Sequence, residues 1–460
     1  MTMFTLRQAQ AWLPGATLIG DGNTAVSRVH SDTRTLQAGD LFVAIRGERF
    51  DANAFLAEAR GQGAVAALAH RGKIPAGFSG LEVDDSKLAL GQLAAAWRAR
   101  FDLPLIAVTG SNGKTTVTQM VASILRAWQP QATLATQGNL NNDIGLPLTL
   151  LRLDASHRVG VIELGMNHPG EIDYLAKIAR PTVALVNNAQ REHQEFMATV
   201  KAVALENGSV FAAMDDKGVA VYPAGEEFTA LWAGLAAPRA SRTFGDSAAD
   251  FSLAGSGWRQ GHWQVSVATP AGQIAYELHI AGRHNVRNSM AAAACALAAG
   301  APLDAIARGL QSFTPVQGRS RALEVTIGGR GITLVDDTYN ANPDSARAAI
   351  DVLAELPGPR LLVLGDMGEV GDQGPQFHRE VGDYARERAI DTLFTLGEQA
   401  QGMGGRHFAD VESLNAAVQE QLQRVDSVLV KGSRFMKMER VVQAITAHEQ
   451  QQGRESGHAA

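Results

Sequence analysis

The sequence predicts an α/β protein of three domains, with a central doubly wound, mostly parallel sheet built around a phosphate-binding loop. Three observations point there. Apolar runs at residues 105–109 (LIAVT), 159–164 (VGVIEL) and 183–186 (VALV) have the two-sided apolar character of buried parallel strands, and helical segments separate them. A Gly-rich run ending in Lys-Thr-Thr follows the first strand and opens a helix. The 460 residues exceed what one hydrophobic core holds, about 250–300.

Along the chain, residues 1–85 begin with a short amphipathic helix and continue as short strands such as 40–45 (DLFVAI), a first domain. Residues 86–101 carry Leu and Ala at helical spacing and end in Asp102-Leu103-Pro104, a domain joint. The central domain spans 86–316, with helices expected near 114–127, 171–179 and 199–214 between its strands. Residues 263–267 and 274–280 alternate in polarity around the turn Pro270-Ala271-Gly272, as antiparallel strands of a small side sheet would. A third, Rossmann-like α/β domain occupies 317–450, with strands at 332–335, 361–364, 392–396 and 427–430. The polar tail 451–460 is expected to be disordered.

Composition narrows the function. Apolar residues at 45% and charged residues at 19% describe a folded globular chain. A net charge of −6 argues against a nucleic-acid partner, since such binders carry a basic face. The one cysteine, Cys295, lies in a run of small residues with no His or Asp pattern beside it, which suits a buried helix position. Without a pair for a disulfide, a basic-then-apolar N-terminus or an apolar run of about 18 residues, a cytoplasmic protein with no membrane insertion is expected. A monomer is the expectation for its assembly.

The strongest local signal is Thr109-Gly110-Ser111-Asn112-Gly113-Lys114-Thr115-Thr116. Gly110 and Gly113 allow a tight turn that aims N–H groups at phosphate oxygens. Lys114 would neutralise the β and γ phosphates of ATP, and the Thr115 hydroxyl would reach Mg²⁺. The general phosphate-loop pattern has Gly where Val108 stands, so only its shorter form survives. The plainer reading, a Gly-rich turn with no ligand, is opposed by the order strand, loop, Lys-Thr-Thr, helix.

Other candidates lie at strand ends, where open α/β sheets bind ligands. Glu163 could hold a metal or merely cap a helix. His193 stands between ligand and surface residue. Asn285 and Asn288 share a helix face and could meet an adenine edge. Asp336 and Asp337 could hold a ribose or a metal, or cap helix N–H groups.

The set TGSNGKTT, ELG, HNVRN, DDTYNANP, LGDMGEVG and KGSR, in this order over about residues 27–440, resembles the Mur ligases of peptidoglycan synthesis. Within the family, the run 138–147 (GNLNNDIGLP), YNANP at 339–343, GDMGEVG, Ser31-Asp32-Thr33-Arg34 and Gly47-Glu48-Arg49-Phe50-Asp51 resemble the branch that adds D-alanyl-D-alanine. The resemblance implies that ATP phosphorylates the free carboxylate of UDP-N-acetylmuramoyl-tripeptide, and that the amine of D-alanyl-D-alanine then displaces phosphate. It implies roles for Lys114 and Arg319 against the γ-phosphate, and for Thr115, Glu163 and His193 at Mg²⁺. Asn285 and Asn288 would meet adenine, Asp336 the ribose, and Ser31 and Arg34 the uridine diphosphate end. Asn139, Asn141, Asn142, Asn340 and Asn342, within the branch-specific runs, are further substrate-binding candidates.

One departure stands out. Many Mur ligases carry a carbamylated Lys where this chain has Asn207, and Asn cannot be carbamylated. Glu206 or another acid could supply the charge, or that metal site is weaker here. The insertion-like Gln190-Arg191-Glu192 suggests that the segment has been rebuilt. The rival readings are a sibling ligase adding another amino acid or glutamates to folate, a nucleotide switch, and a family member that has lost catalysis. A switch would need only the central domain, and intact Lys114, Glu163 and Arg319 oppose the last.

Overall fold

The computed structural model describes every residue except Met1, Glu48, Arg49, residues 193–195, Ala198, Gln260 and residues 458–460. Among the described residues the chain forms three large sheets and one two-stranded ribbon.

The first sheet has five short strands in the order Thr17–Ile19, Ser79–Val83, Ala66–His70, Asp40–Val43 and Arg28–His30. The helix Ser86–Arg98 follows, started by Asp85, whose carboxylate accepts from the N–H groups of Lys87 and Leu88. Its Leu90, Leu93 and Trp97 share one apolar core with Leu41 and Leu68 of the first sheet and Leu105 and Ala107 of the next. The helix therefore ties the two sheets together instead of hanging between them.

The second sheet has nine strands, and Leu105–Thr109 lies inside it between Val159–Glu163 and Val183–Val186, parallel to both. Leu105 and Ala107 face one core while Ile106 and Val108 face the other, the alternation of a sheet covered on both sides. The chain leaves this central strand toward both flanks, which makes its C-terminal end a switch point of the topology. The expected antiparallel strands His262–Thr269 and Gly272–Leu278 are joined to the parallel part through Phe251–Arg259, which pairs with Ala240–Gly245. The strands Thr133–Ala135, Val219–Pro223, Ala240–Gly245 and Phe251–Arg259 had no strong pattern in the sequence.

The helix Arg283–Ala298 packs its small-residue run, Met290–Ala296, wholly inside the second core, where bulk would hold it off the sheet. Cys295 is buried there, and burial pushes its thiol well above the usual range, so it is an inert packing group.

The third sheet runs Arg321–Ile327, Arg330–Asp337, Ser427–Lys431, Arg360–Gly365, Thr392–Leu396 and Arg406–Phe408. Its first two strands form a hairpin over Gly328-Gly329, both at positive φ, and the rest are parallel. The tail corrects an expectation: the helix Glu439–Gly457 runs through most of the segment read as disordered. The hairpin supplies the reason, because Thr326 N–H donates to Glu449 Oε1 and Gly328 N–H to Gln452 Oε1.

Candidate active site

The C-terminal edge of the second sheet and the facing edge of the third enclose a cavity of about 870 Å³. The phosphate-type loop forms its floor. Gly110 lies at φ +125°, where a Cβ would come within 3.0 Å of Asn187 Cβ and Asn188 N, so only glycine fits. Gly113, at φ +80°, ends the loop and starts the helix Lys114–Trp128.

Neutral amides hold the loop. Gly110 N–H donates to Asn207 Oδ1 at 2.9 Å, Ser111 N–H to Asn188 O at 3.2 Å and Asn112 N–H to Asn188 Oδ1 at 2.9 Å. This corrects one expectation, since the loop N–H groups of residues 110–112 are engaged inside the protein. The donors left for an anion are those of Gly113 at the helix N-cap and of Lys114, Thr115 and Thr116 in its first turn, all lining the cavity.

Asn285 and Asn288 belong to the same scaffold. Asn285 Nδ2 donates to Ala281 O, Asn288 Nδ2 to Asn285 Oδ1, and Asn187 Nδ2 to Asn288 Oδ1. Both line the cavity, but their amides run as a chain toward the loop.

Lys114 Nζ donates to Gly110 O at 2.6 Å, Ser111 O at 3.0 Å and Glu192 Oε1 at 2.7 Å. From the third sheet's side, Arg319 Nη2 donates to Thr115 Oγ1 at 3.1 Å, and its guanidinium lies 3.9 Å from the Tyr339 ring centroid. Lys114, Arg191, Arg287, Lys431 and Arg434 line the cavity and each pair with a carboxylate; Arg319 pairs with none among the described residues. Its Nε is buried without a hydrogen-bond partner among the described residues, a donor that an anion would satisfy.

Glu163 is buried at the end of its strand. Asn141 Nδ2 donates to its Oε1 at 2.7 Å, while Oε2 has no partner among the described residues. Such an orphaned carboxylate oxygen suits a hard cation. No group of three or more His, Cys, Asp or Glu could hold a metal among the described residues. Mg²⁺ does not require one, since it is commonly bound through one or two carboxylates with phosphates and water. Thr115 and Glu163 therefore fit as its protein contacts, whereas His193 lies outside the described residues.

The remaining candidates divide. Asn139, Asn141, Asn142, Asn340 and Asn342 line the cavity. Asn142 Oδ1 also accepts from Gly145 N–H, and Asn342 caps the helix Pro343–Glu355 while donating to Asn112 Oδ1 at 2.9 Å. Asp336 is a correction. It does not line the cavity, because its carboxylate accepts from Gly318 N–H and from the Thr338 N–H and hydroxyl. Its neighbour Asp337 does line it, paired with Lys431 at 2.6 Å. Ser31 and Arg34 are not at this cavity either; Arg34 is 84% exposed and holds the Asp32 carboxyl down to about 2. Glu48 and Arg49 lie outside the described residues.

Asn207 makes no contact with the cavity and braces Gly110 from beneath. Glu206 accepts from Ile172 N–H at the start of another helix and does not line the cavity. Among the acids that line the cavity, the one paired with Lys114 is Glu192, which the candidate set missed. Its only signal was the insertion-like run that contains it.

A sequence pattern described as the Mur ligase middle domain matches residues 108–296, and one described as the Mur ligase glutamate ligase domain matches 321–434. Full-length relatives agree: the chain is 39% identical to UDP-N-acetylmuramoyl-tripeptide–D-alanyl-D-alanine ligase of Escherichia coli K12, over 97% of this chain and 99% of that one. The chain belongs to the Mur ligase family. The corresponding Mur ligase of Haemophilus influenzae is 38% identical, with 94% and 96% covered. Among solved Mur ligases, MurF of Acinetobacter baumannii superposes with a TM-score of 0.90 at 35% identity, covering 96% of this chain and 99% of that one. MurF of Thermotoga maritima, in complex with ADP, gives 0.84 at 26% identity, with 93% and 99% covered.

Proposed function

We propose that this chain is the ATP-dependent ligase that joins D-alanyl-D-alanine to UDP-N-acetylmuramoyl-tripeptide. The observation that carries it is the convergence of Arg319 on Thr115 across 204 residues of sequence, which sets cations from two sheets against one phosphate site.

In the proposed reaction, an oxygen of the tripeptide carboxylate attacks the γ-phosphorus and ADP leaves, giving an acyl phosphate. The dipeptide amine then attacks the acyl carbon, and phosphate departs with the former carboxylate oxygen. The first step brings two anions together, and each pair of unit charges 4 Å apart repels by about 4 kcal/mol at an effective dielectric of 20. Lys114 and Arg319 offset that repulsion from opposite sides, and positioning does the rest. Mg²⁺, held by Thr115 and Glu163, would add further neutralising charge.

Asn139, Asn141, Asn142, Asn340 and Asn342, all lining the cavity, are the proposed contacts for the two peptide substrates, with Tyr339 beside them. Tyr339 joins the set because Arg319 stacks on it. Ser31 and Arg34 remain proposed contacts for the uridine diphosphate, away from the cavity. A monomer working in the cytoplasm fits this reading; among the described residues no helix is long and apolar enough to cross a membrane.

The test is phosphate release with Mg-ATP, the tripeptide nucleotide and D-alanyl-D-alanine, omitting each in turn. Release that needs all three supports the ligase. Release without the dipeptide would point to a different acceptor or an uncoupled ATPase.

A further inference from the structure

Three consecutive residues, Gln190, Arg191 and Glu192, connect the phosphate loop to the third sheet's helices. Gln190 Oε1 accepts from Asn112 Nδ2 at 2.6 Å, and its N–H donates to Ser111 Oγ at 2.9 Å. Arg191 forks onto two carboxylates, with Nη2 at 2.6 Å from Asp344 Oδ1 and Nη1 at 2.8 Å from Glu380 Oε2. Glu192 reaches Lys114 at 2.7 Å, and the two side chains are 12% and 14% exposed.

An ammonium group has three N–H donors. Those of Lys114 go to Gly110 O, Ser111 O and Glu192 Oε1. The two carbonyls belong to the loop itself, whose turn is fixed by Asn207 and Asn188. A phosphate oxygen that is to reach Lys114 must therefore displace Glu192. The two acceptors are alike in charge, so they compete.

We propose that Glu192 is an internal competitor of the nucleotide's terminal phosphates at Lys114, held in place by the Arg191 anchor on Asp344 and Glu380. The affinity for ATP is then set by this strap as well as by the loop. The proposal rests on the loop being the nucleotide site, as read above. Glu192 acts here as a positioning residue on Lys114, and AMP, which lacks the β and γ phosphates, should not feel it.

The test is competition against a fluorescent ATP analogue on the full-length protein with Mg²⁺, using ATP and AMP as competitors. Glu192→Gln keeps the shape and removes the charge. It should tighten ATP by about tenfold, the scale of one partly buried charge, and leave AMP unchanged. Arg191→Ala should shift ATP in the same direction by a smaller factor, and the double variant should bind no tighter than Glu192→Gln alone. Unchanged or weaker ATP binding in Glu192→Gln, or an equal shift for ATP and AMP, would overturn the proposal while leaving the nucleotide site standing. Failure of wild type and variants alike to bind the analogue would overturn both.

Discussion

The two walls of the cavity are built from different interactions. On the loop side, Asn187, Asn188, Asn207, Asn285 and Asn288 hold the backbone with neutral amide hydrogen bonds, all but Asn188 buried. Toward the third sheet, Arg191 joins the two parts through charge, forking onto Asp344 and Glu380. Neutral bonds fix a turn at any ionic strength, whereas ion pairs that remain partly solvated weaken as salt screens them. One wall is thus a rigid mould for phosphate, and the other a contact that can be tuned.

The largest effect should come from the cation where the two walls meet. Lys114→Ala is expected to lower kcat on the order of a hundredfold or more, as loss of a charge-stabilising donor does. Near-normal turnover in steady-state kinetics would remove Lys114 from the proposed mechanism.

The neutral wall is broken by Asn207→Ala, which strands the buried Gly110 N–H. A cost of about 1–3 kcal/mol is expected in denaturant unfolding, the same at low and high salt. A strongly salt-dependent loss would contradict the division between the walls.

The charged wall is probed by Asp344→Asn, which weakens one arm of the Arg191 fork. Here about 1 kcal/mol is expected at low ionic strength, shrinking toward zero near 1 M salt, where the screening length falls to about 3 Å. Melting curves across a salt series would separate it from the Asn207 variant.

The smallest effect concerns His378, buried beneath the loop that carries Gly368. Its Nε2 accepts from Met367 N–H at 2.9 Å and its Nδ1 donates to Gly374 O at 2.7 Å, which requires the neutral ring. Burial lowers its affinity for the proton, so below pH 6.5 the unfolded chain binds a proton that the folded one refuses. The stability from this group is present above pH 6.5 and is lost as pH falls through the folded value. His378→Gln should flatten that slope in unfolding measured across a pH series. Identical slopes in wild type and variant would contradict the assignment.

What the sequence disclosed follows from the range of the forces involved. The strand at residues 105–109, the glycine turn and the helix behind it are local, and local patterning marks them. The short edge strands 133–135 and 406–408 depend on neighbours for their pairing, so no periodicity announced them. The helical tail depends on the hairpin it docks on. Among the candidate residues, Lys114 and Thr115 stood out through the local loop pattern, while Arg319 was expected only from the family resemblance; the structure brings all three to one cavity with Glu163. Asp336 was misassigned because adjacent carboxylates look alike until a turn claims one of them. Glu192 was missed because its partner lies 78 residues away in sequence.

The central claim is that the tripeptide carboxylate is activated by phosphoryl transfer in this cavity. It is tested most directly by running the full reaction with ¹⁸O in that carboxylate and analysing the released phosphate by mass spectrometry. Transfer of one ¹⁸O into each phosphate is the predicted result. Unlabelled phosphate would mean that ATP is hydrolysed without acyl phosphate formation, and would contradict the account.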